Sequence, residues 1–77
     1  MTFEVGVYRH YKGNEYYVIG LAQHGDEGID EQFVVYLALY PKTGPRMFAR
    51  PHGEFFSQVT LSDGSSGPRY VKVAEPP

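Results

Sequence analysis

The sequence contains no cysteine and no tryptophan, and it has no long apolar run. Without cysteine the chain forms neither a disulfide nor a zinc site with thiolate ligands. No segment approaches the ~18 apolar residues of a membrane-spanning helix, and the N-terminal residues lack the basic stretch and apolar run of a secretory signal. We therefore expect a soluble, cytoplasmic protein with no membrane partner.

An excess of charge of one sign is also absent. Seven Lys and Arg residues stand against nine Asp and Glu residues, for a net charge of −2, so no overall attraction draws the chain to nucleic acid. Four of the acids fall within residues 26–31, whereas the basic residues are spread over the rest of the chain. This distribution leaves two interpretations open, a local positive patch or ordinary solvated charges.

The length of 77 residues allows one hydrophobic core, since typical domains have about 100–150 residues. We expect a single domain over residues 1–77, with its core between about 4 and 74 and a tail at 75–77. A chain this short buries only ~60% of the surface that its unfolded form exposes. Its stability is therefore expected to be marginal.

The sequence pattern predicts an all-β fold. Segments rich in Val, Ile, Tyr and Phe are too short and too β-branched for helices, and Gly, Pro and Asn residues separate them. Proline and two phenylalanines predict a single helical or 3₁₀ turn between Pro51 and Phe56. Five or six short antiparallel strands at this spacing are typical of a small SH3-like barrel. The predicted strands are residues 4–11, 16–24, 33–40, 46–50, 57–61 and 69–74.

Alternation along the first three strands divides their side chains between two faces. The odd-numbered set is aliphatic, and the even-numbered set combines tyrosines, histidines and very small residues. Neither set is polar, so we expect both faces of the sheet to be covered. The odd set is Phe3, Val5, Val7, Tyr17, Ile19, Leu21, Phe33, Val35, Leu37 and Leu39. The even set is Gly6, Tyr8, His10, Tyr16, Val18, Gly20, Ala22, His24, Val34, Tyr36, Ala38 and Tyr40.

The even-numbered face has two interpretations. In the first, its small residues leave room for a shallow cleft that Tyr8, Tyr36 and Tyr40 wall and that His10 and His24 close at its polar ends. In the second, the same residues form the core, with tyrosine hydroxyls reaching its rim. Two apolar faces on so small a chain also predict a weak homodimer.

The motifs of the chain resemble those of a family of small bacterial proteins, the domain of unknown function 1653. A G-x-Y-R-H-Y-K-G stretch stands at residues 6–13 and V-V-Y-x-A-L-Y at residues 34–40. Arg50 and Pro51 supply the R-P pair of that family, with Phe55 or Phe56 after it. The resemblance covers about residues 6–71 and implies a bacterial, compact, single-domain protein. It implies no activity, cofactor or catalytic residue.

Signs of catalysis are few. No glycine-rich phosphate loop follows a strand, and the serines occupy no nucleophile elbow. His10, His24 and His52 lack the spacing of a metal motif. The sequence therefore identifies no catalytic residue, metal or cofactor, and it favours a binding protein over an enzyme. The alternative is a small enzyme in which His10 or His24 acts as the general acid and base, or a small-molecule binder.

Residues 8–12 are the densest mixture of rings and cations in the chain. Such a mixture suits an aromatic and basic surface that binds a peptide, a protein or an anionic ligand. It also suits RNA or single-stranded nucleic acid, whose bases stack on rings, although the sequence pI of about 5.8 argues against this alternative. The predicted site residues are Tyr8, Arg9, His10, Tyr11, Lys12, His24, Tyr36, Tyr40 and Arg50.

Overall fold

The computed structural model describes residues 3–77. Met1 and Thr2, which begin the predicted domain, lie outside them. Residues 3–77 form seven strands and one helical turn, so the predicted all-β class and the turn after Pro51 are confirmed. The strands are β1 (Gly6–His10), β2 (Glu15–Gln23), β3 (Gln32–Ala38), β4 (Met47–Pro51), β5 (Gln58–Thr60), β6 (Ser66–Pro68) and β7 (Tyr70–Ala74), and α1 (His52–Phe55) follows β4.

The strands form an antiparallel five-stranded sheet in the order β4-β3-β2-β1-β7 and a separate hairpin of β5 and β6. Tight turns explain this order. Gly13 has a φ of 111°, and the Gly13 N–H donates to the His10 carbonyl at 2.7 Å, which closes the predicted turn between β1 and β2. Strand β6 was not predicted, because its Ser, Gly and Pro residues are typical of loops.

The sheet curls around an aromatic core. Phe55 of α1 is completely buried, and its ring stacks on Tyr70 of β7 with centroids 4.0 Å apart. Arg50 of β4 reaches the same ring, with its Cζ atom 5.9 Å from the centroid. Strands β4 and β7 are opposite edges of the sheet, so α1 fills the gap between them. Hydrogen bonds do not join these edges within residues 3–77, and the SH3-like barrel stays a prediction.

The even-numbered face forms this core, as the second interpretation of that face predicts. Its buried members Tyr8, Val18, Val34 and Tyr36 form one cluster with Phe55 and Tyr70. The predicted alternation ends at Ile19, where an extra residue shifts the register of β2 against β3. Beyond this bulge Gly20 and Ala22 share a face with the odd-numbered residues of β3. Within residues 3–77, no helix is long and apolar enough to cross a membrane.

Candidate functional site

Two tyrosines of the predicted site lie inside the core. Tyr8 and Tyr36 are 6% and 3% exposed. The Tyr8 hydroxyl donates to the Glu4 carbonyl at 2.8 Å, and the Tyr36 hydroxyl accepts from Tyr70 at 3.3 Å and from the Arg50 Nε at 3.2 Å. Their rings therefore pack against other rings of the protein and do not form the open wall of a cleft.

Tyr40 lies at the margin of the same cluster. Its hydroxyl is 3.2 Å from that of Tyr16, and the two rings meet edge to face with centroids 5.6 Å apart. Burial, followed by the hydrogen bond to Tyr40, raises the pKa of Tyr16 to about 12. The Tyr16 phenol is therefore neutral at physiological pH, and it acts as a hydrogen-bonding rather than a charged group.

Arg50 braces the fold. Besides its bond to the Tyr36 hydroxyl, its guanidinium forms an ion pair with Glu54 one turn further along the chain. The hydrogen bond to Tyr36 is the main reason that the pKa of Arg50 is raised above its usual value. Arg50 is thus occupied by internal partners on two sides, as expected for a residue that holds α1 against the sheet.

His24 lies away from the other candidates. It follows β2 at the end opposite the β1–β2 turn, and nine residues of strand separate these ends by ~30 Å. Its ring is 6.1 Å from that of Phe33, and its Nδ1 accepts the backbone N–H of Asp26 at 3.0 Å. The structure therefore does not bring His24 together with His10.

The residues that the structure does bring together are at the end of β1. The His10 ring packs against Tyr11 at 4.5 Å and against Tyr70 at 4.9 Å between centroids. Its Nδ1 accepts the backbone N–H of Lys12 at 3.1 Å. Burial first, and then the positive charges of Arg50, Arg69 and Lys12, lower the pKa of His10. The imidazole is therefore neutral near pH 7, and the potential around it is positive.

Three cations border this end of the sheet. Arg9 is exposed and forms a two-point contact with Glu15, at 3.0 Å from Nε and 2.7 Å from a terminal nitrogen. Lys12 lies over the Tyr11 ring, with Nζ 5.8 Å from its centroid. Arg69 donates to the Ser57 hydroxyl at 3.2 Å. Within residues 3–77 neither Lys12 nor Arg69 forms an ion pair, so their charges remain available to a ligand.

A groove of about 310 Å³ opens between the ends of β1 and β7 and the β5–β6 hairpin. Arg9 lines this groove, whereas Arg69 does not. Its wall is mainly apolar, and a second depression that shares Tyr11 and Leu61 with it continues past Lys12. We call this feature the β1–β7 groove. Its lining residues are Arg9, His10, Tyr11, Gly13, Leu61, Pro68, Val71 and Val73.

A different depression lies at the far end of β3, beside α1. It is polar and has a volume of about 560 Å³, and Asp30, Glu31, His52 and Glu54 contribute to its lining. Residues 3–77 contain no group of three or more His, Asp or Glu side chains placed to hold a metal ion. Neither His10 nor His24 hydrogen-bonds a carboxylate side chain in the described residues.

The comparisons with known proteins agree on one family. The model of the family DUF1653, which is described as a protein of unknown function, matches residues 6–72. The chain belongs to this family. A crystal structure of a DUF1653 protein from Bordetella bronchiseptica is 38% identical, with a TM-score of 0.83 over 95% of this chain and 90% of that chain. None of the curated proteins matches.

The groove contains residues that the sequence did not single out. Leu61, Pro68, Val71 and Val73 lie about 50 to 65 positions from the predicted residues of β1. The pairing of β7 with β1 brings Val71 and Val73 to the groove, and the β5–β6 hairpin brings Leu61 and Pro68. Tyr70 was also missed, although the alternation of residues 69–74 places it on one face of a strand. Arg9, His10, Tyr11 and Lys12 are the four predicted residues that line or border the groove and its extension.

Proposed function

We propose that this DUF1653 protein is a non-catalytic interaction module that binds an acidic, partly apolar peptide segment of another protein in the β1–β7 groove. The observation that supports the proposal is an apolar wall next to Lys12, a cation that forms no ion pair within residues 3–77. An apolar side chain of the peptide contacts Leu61, Val71 and Val73. A carboxylate next to that side chain faces Lys12, whose hydrogen bonds to an anion are of the stronger, charge-assisted kind.

The position of β7 supports an extended ligand. Strand β7 pairs with β1 on one side only and forms an edge of the five-stranded sheet. Edge strands present backbone donors and acceptors, and an extended peptide would use those of β7 beyond Tyr70, the residue on which Phe55 of α1 packs. A peptide along β7 would place alternate side chains against Val71 and Val73, which are both exposed.

The test is a titration of the ¹⁵N-labelled protein with a synthetic hexapeptide that alternates Glu and Leu, followed by NMR. Backbone amides of Tyr11, Gly13, Leu61 and Val71 should shift in a saturable manner, and the affinity should fall as salt rises from 50 to 500 mM because exposed charges are screened. A Lys-Leu hexapeptide is the control for charge. Equal affinity for both peptides would contradict the proposed role of the cations.

Two matched variants locate the site. Val71→Asp places a carboxylate in the groove and should weaken binding of the Glu-Leu peptide at least tenfold. Met47→Asp makes the same exchange at an exposed apolar position on β4, four strands away, and should bind as the unmodified protein does. Equal losses in both variants, or tighter binding of oligo-uridine than of the peptide at the same amides, would overturn the proposal.

A further inference from the structure

A cluster of basic groups lies at the rim of the core, where His10 at the end of β1 is paired with Tyr70 of β7. The His10 ring and the Arg50 guanidinium both lie beside the Tyr70 ring, with His10 at 4.9 Å and the Arg50 Cζ at 5.9 Å from its centroid. In the same register Val71 is paired with Arg9, so its side chain is on the opposite face of the strand pair. The cluster is therefore a neighbour of the β1–β7 groove and not part of the apolar wall that Val71 provides.

Arg69, the residue before β7, is held in place by Ser57. Its backbone N–H donates to the Ser57 carbonyl at 2.9 Å, and its Nε donates to the Ser57 hydroxyl at 3.2 Å. Its two terminal nitrogens form no hydrogen bond with the described residues. Since no buried side-chain nitrogen or oxygen in residues 3–77 lacks a partner, these two nitrogens reach the solvent. Arg69 thus presents a pre-organised fork of donors, which loses less entropy on binding an anion than a free side chain would.

His10 contributes a second kind of donor. Its Nδ1 accepts the backbone N–H of Lys12 at 3.1 Å, so the neutral imidazole carries its proton on Nε2. The Nε2 atom has no hydrogen-bond partner among the described residues, and by the same argument it is not buried. The pKa of His10 is lowered by burial first and then by three cations, Arg50, Arg69 and Lys12. His10 is therefore a neutral donor with positive charges around it.

Only one of these three cations is neutralised within residues 3–77. Arg50 pairs with Glu54, whereas neither Arg69 nor Lys12 forms an ion pair there. Two positive charges therefore remain around the His10 N–H. A phosphate monoester carries a charge of about −1.5 to −2 at pH 7 and has three acceptor oxygens, so it matches both the charge and the donors of the cluster. A carboxylate has one charge and two oxygens, fewer than the cluster can bind.

We propose that Arg69, His10 and Lys12 form a binding site for a phosphate-monoester group. The fork of Arg69 binds two of its oxygens, the His10 Nε2–H donates to the third, and Lys12 supplies the second positive charge. The shared chemistry is the phosphate group, whether a protein side chain or a small molecule carries it. The site has Lys12 in common with the proposed function, but Arg69 does not line the β1–β7 groove. The two proposals can therefore fail separately.

The test is an NMR titration of the ¹⁵N-labelled protein with methyl phosphate at pH 7.5, above the second phosphate pKa of ~6, at constant ionic strength. The His10 Nε2 and Arg69 Nε signals should shift in a saturable manner, and acetate should bind more weakly. Equal affinity for acetate would contradict the phosphate assignment. A phosphoserine tripeptide distinguishes the two sources. Tighter binding than methyl phosphate assigns the group to a phosphorylated protein, and weaker binding assigns it to a small molecule.

Matched variants locate the site. Arg69→Gln should weaken methyl phosphate binding roughly tenfold or more, as expected when charged hydrogen bonds are lost. Arg46→Gln removes the same charge from an exposed arginine that is not among the cations acting on His10, and it should bind as the unmodified protein does. His10→Asn keeps an acceptor for the Lys12 N–H but lacks the Nε2–H, so it should weaken binding several-fold. Circular dichroism verifies that each variant is folded, and Arg69→Lys, which keeps the charge but not the fork, serves if Arg69→Gln does not fold.

Three results would overturn the proposal. They are the absence of a saturable shift of the His10 Nε2, a His10 tautomer protonated on Nδ1, and equal losses in Arg69→Gln and Arg46→Gln. The Glu-Leu hexapeptide separates this site from the groove, because Arg69→Gln should bind that peptide as the unmodified protein does. If the protein binds methyl phosphate but not the peptide, the phosphate site stands and the proposed function is wrong.

Discussion

Phe55 should be the residue on which the stability of this fold depends most. It is completely buried, and its ring contacts Tyr8 at 5.6 Å, Tyr36 at 5.4 Å and Tyr70 at 4.0 Å between centroids. Removing a buried phenylalanine ring costs ~3–5 kcal/mol. A domain of this length has a total stability of only ~4–12 kcal/mol. Phe55→Ala should therefore remove a quarter or more of the free energy of unfolding.

The assay is thermal and urea unfolding followed by circular dichroism. At ~4–8 °C per kcal/mol for a domain of this size, Phe55→Ala should lower Tm by roughly 12–40 °C. Phe56→Ala is the matched control, since the adjacent ring is only half-buried and should cost about half as much. Phe55→Leu keeps most of the volume and serves if the alanine variant does not fold. Equal losses for Phe55→Ala and Phe56→Ala would refute the idea that α1 fills the gap between the sheet edges.

Three further predictions concern backbone, pH and charge. Gly6→Ala should lower the free energy of unfolding by ~1–3 kcal/mol, because Gly6 has a φ of 149° and a Cβ there would lie 2.6 Å from a backbone oxygen of β7. Gly53→Ala, with no atom within 4 Å of its Cβ, is the control and should be neutral or stabilising in a urea titration. Burial and neighbouring cations lower the pKa of His10 below 6.5, so protonation favours the unfolded chain and the free energy of unfolding should fall as the pH drops through and below 6.5. His10→Asn should flatten this pH dependence of the free energy of unfolding, and an unchanged slope would contradict the prediction. Arg50→Ala should lower the free energy of unfolding by ~1–2 kcal/mol, whereas Arg9→Ala, which removes an exposed ion pair, should lower it by at most ~0.5 kcal/mol. Equal decreases of the calorimetric Tm in the two variants would be inconsistent with the bracing role of Arg50.

The strands could be predicted because their composition and turns agree. The alternation of β1, β2 and β3 identified Tyr8, Val18 and Tyr36 as one face, and the structure places that face in the core. The bulge at Ile19 could not be predicted, since an extra residue in a strand changes the register without changing its composition. Gly20 therefore lies on the face opposite to the predicted one.

The site was harder to predict than the strands. Arg9, His10, Tyr11 and Lys12 are contiguous, so composition alone indicates a polar and aromatic cluster there. Whether a particular ring in such a cluster is a wall or a core residue depends on what packs against it, which is information from tertiary structure. The wall of the groove likewise depends on β7, whose pairing with β1 joins residues far apart in the sequence.

The tyrosine hydroxyls of the core find their hydrogen-bond partners within the protein. Phenol rings fill most of the core, and a buried hydroxyl without a partner would cost ~1–3 kcal/mol. Among the described residues no buried side-chain nitrogen or oxygen lacks a hydrogen bond, because Tyr36 and Tyr70 bond each other and Tyr16 meets Tyr40. The even-numbered face thus needs no ligand to satisfy its polar atoms. Lys12, at the continuation of the β1–β7 groove, in contrast forms no ion pair within residues 3–77.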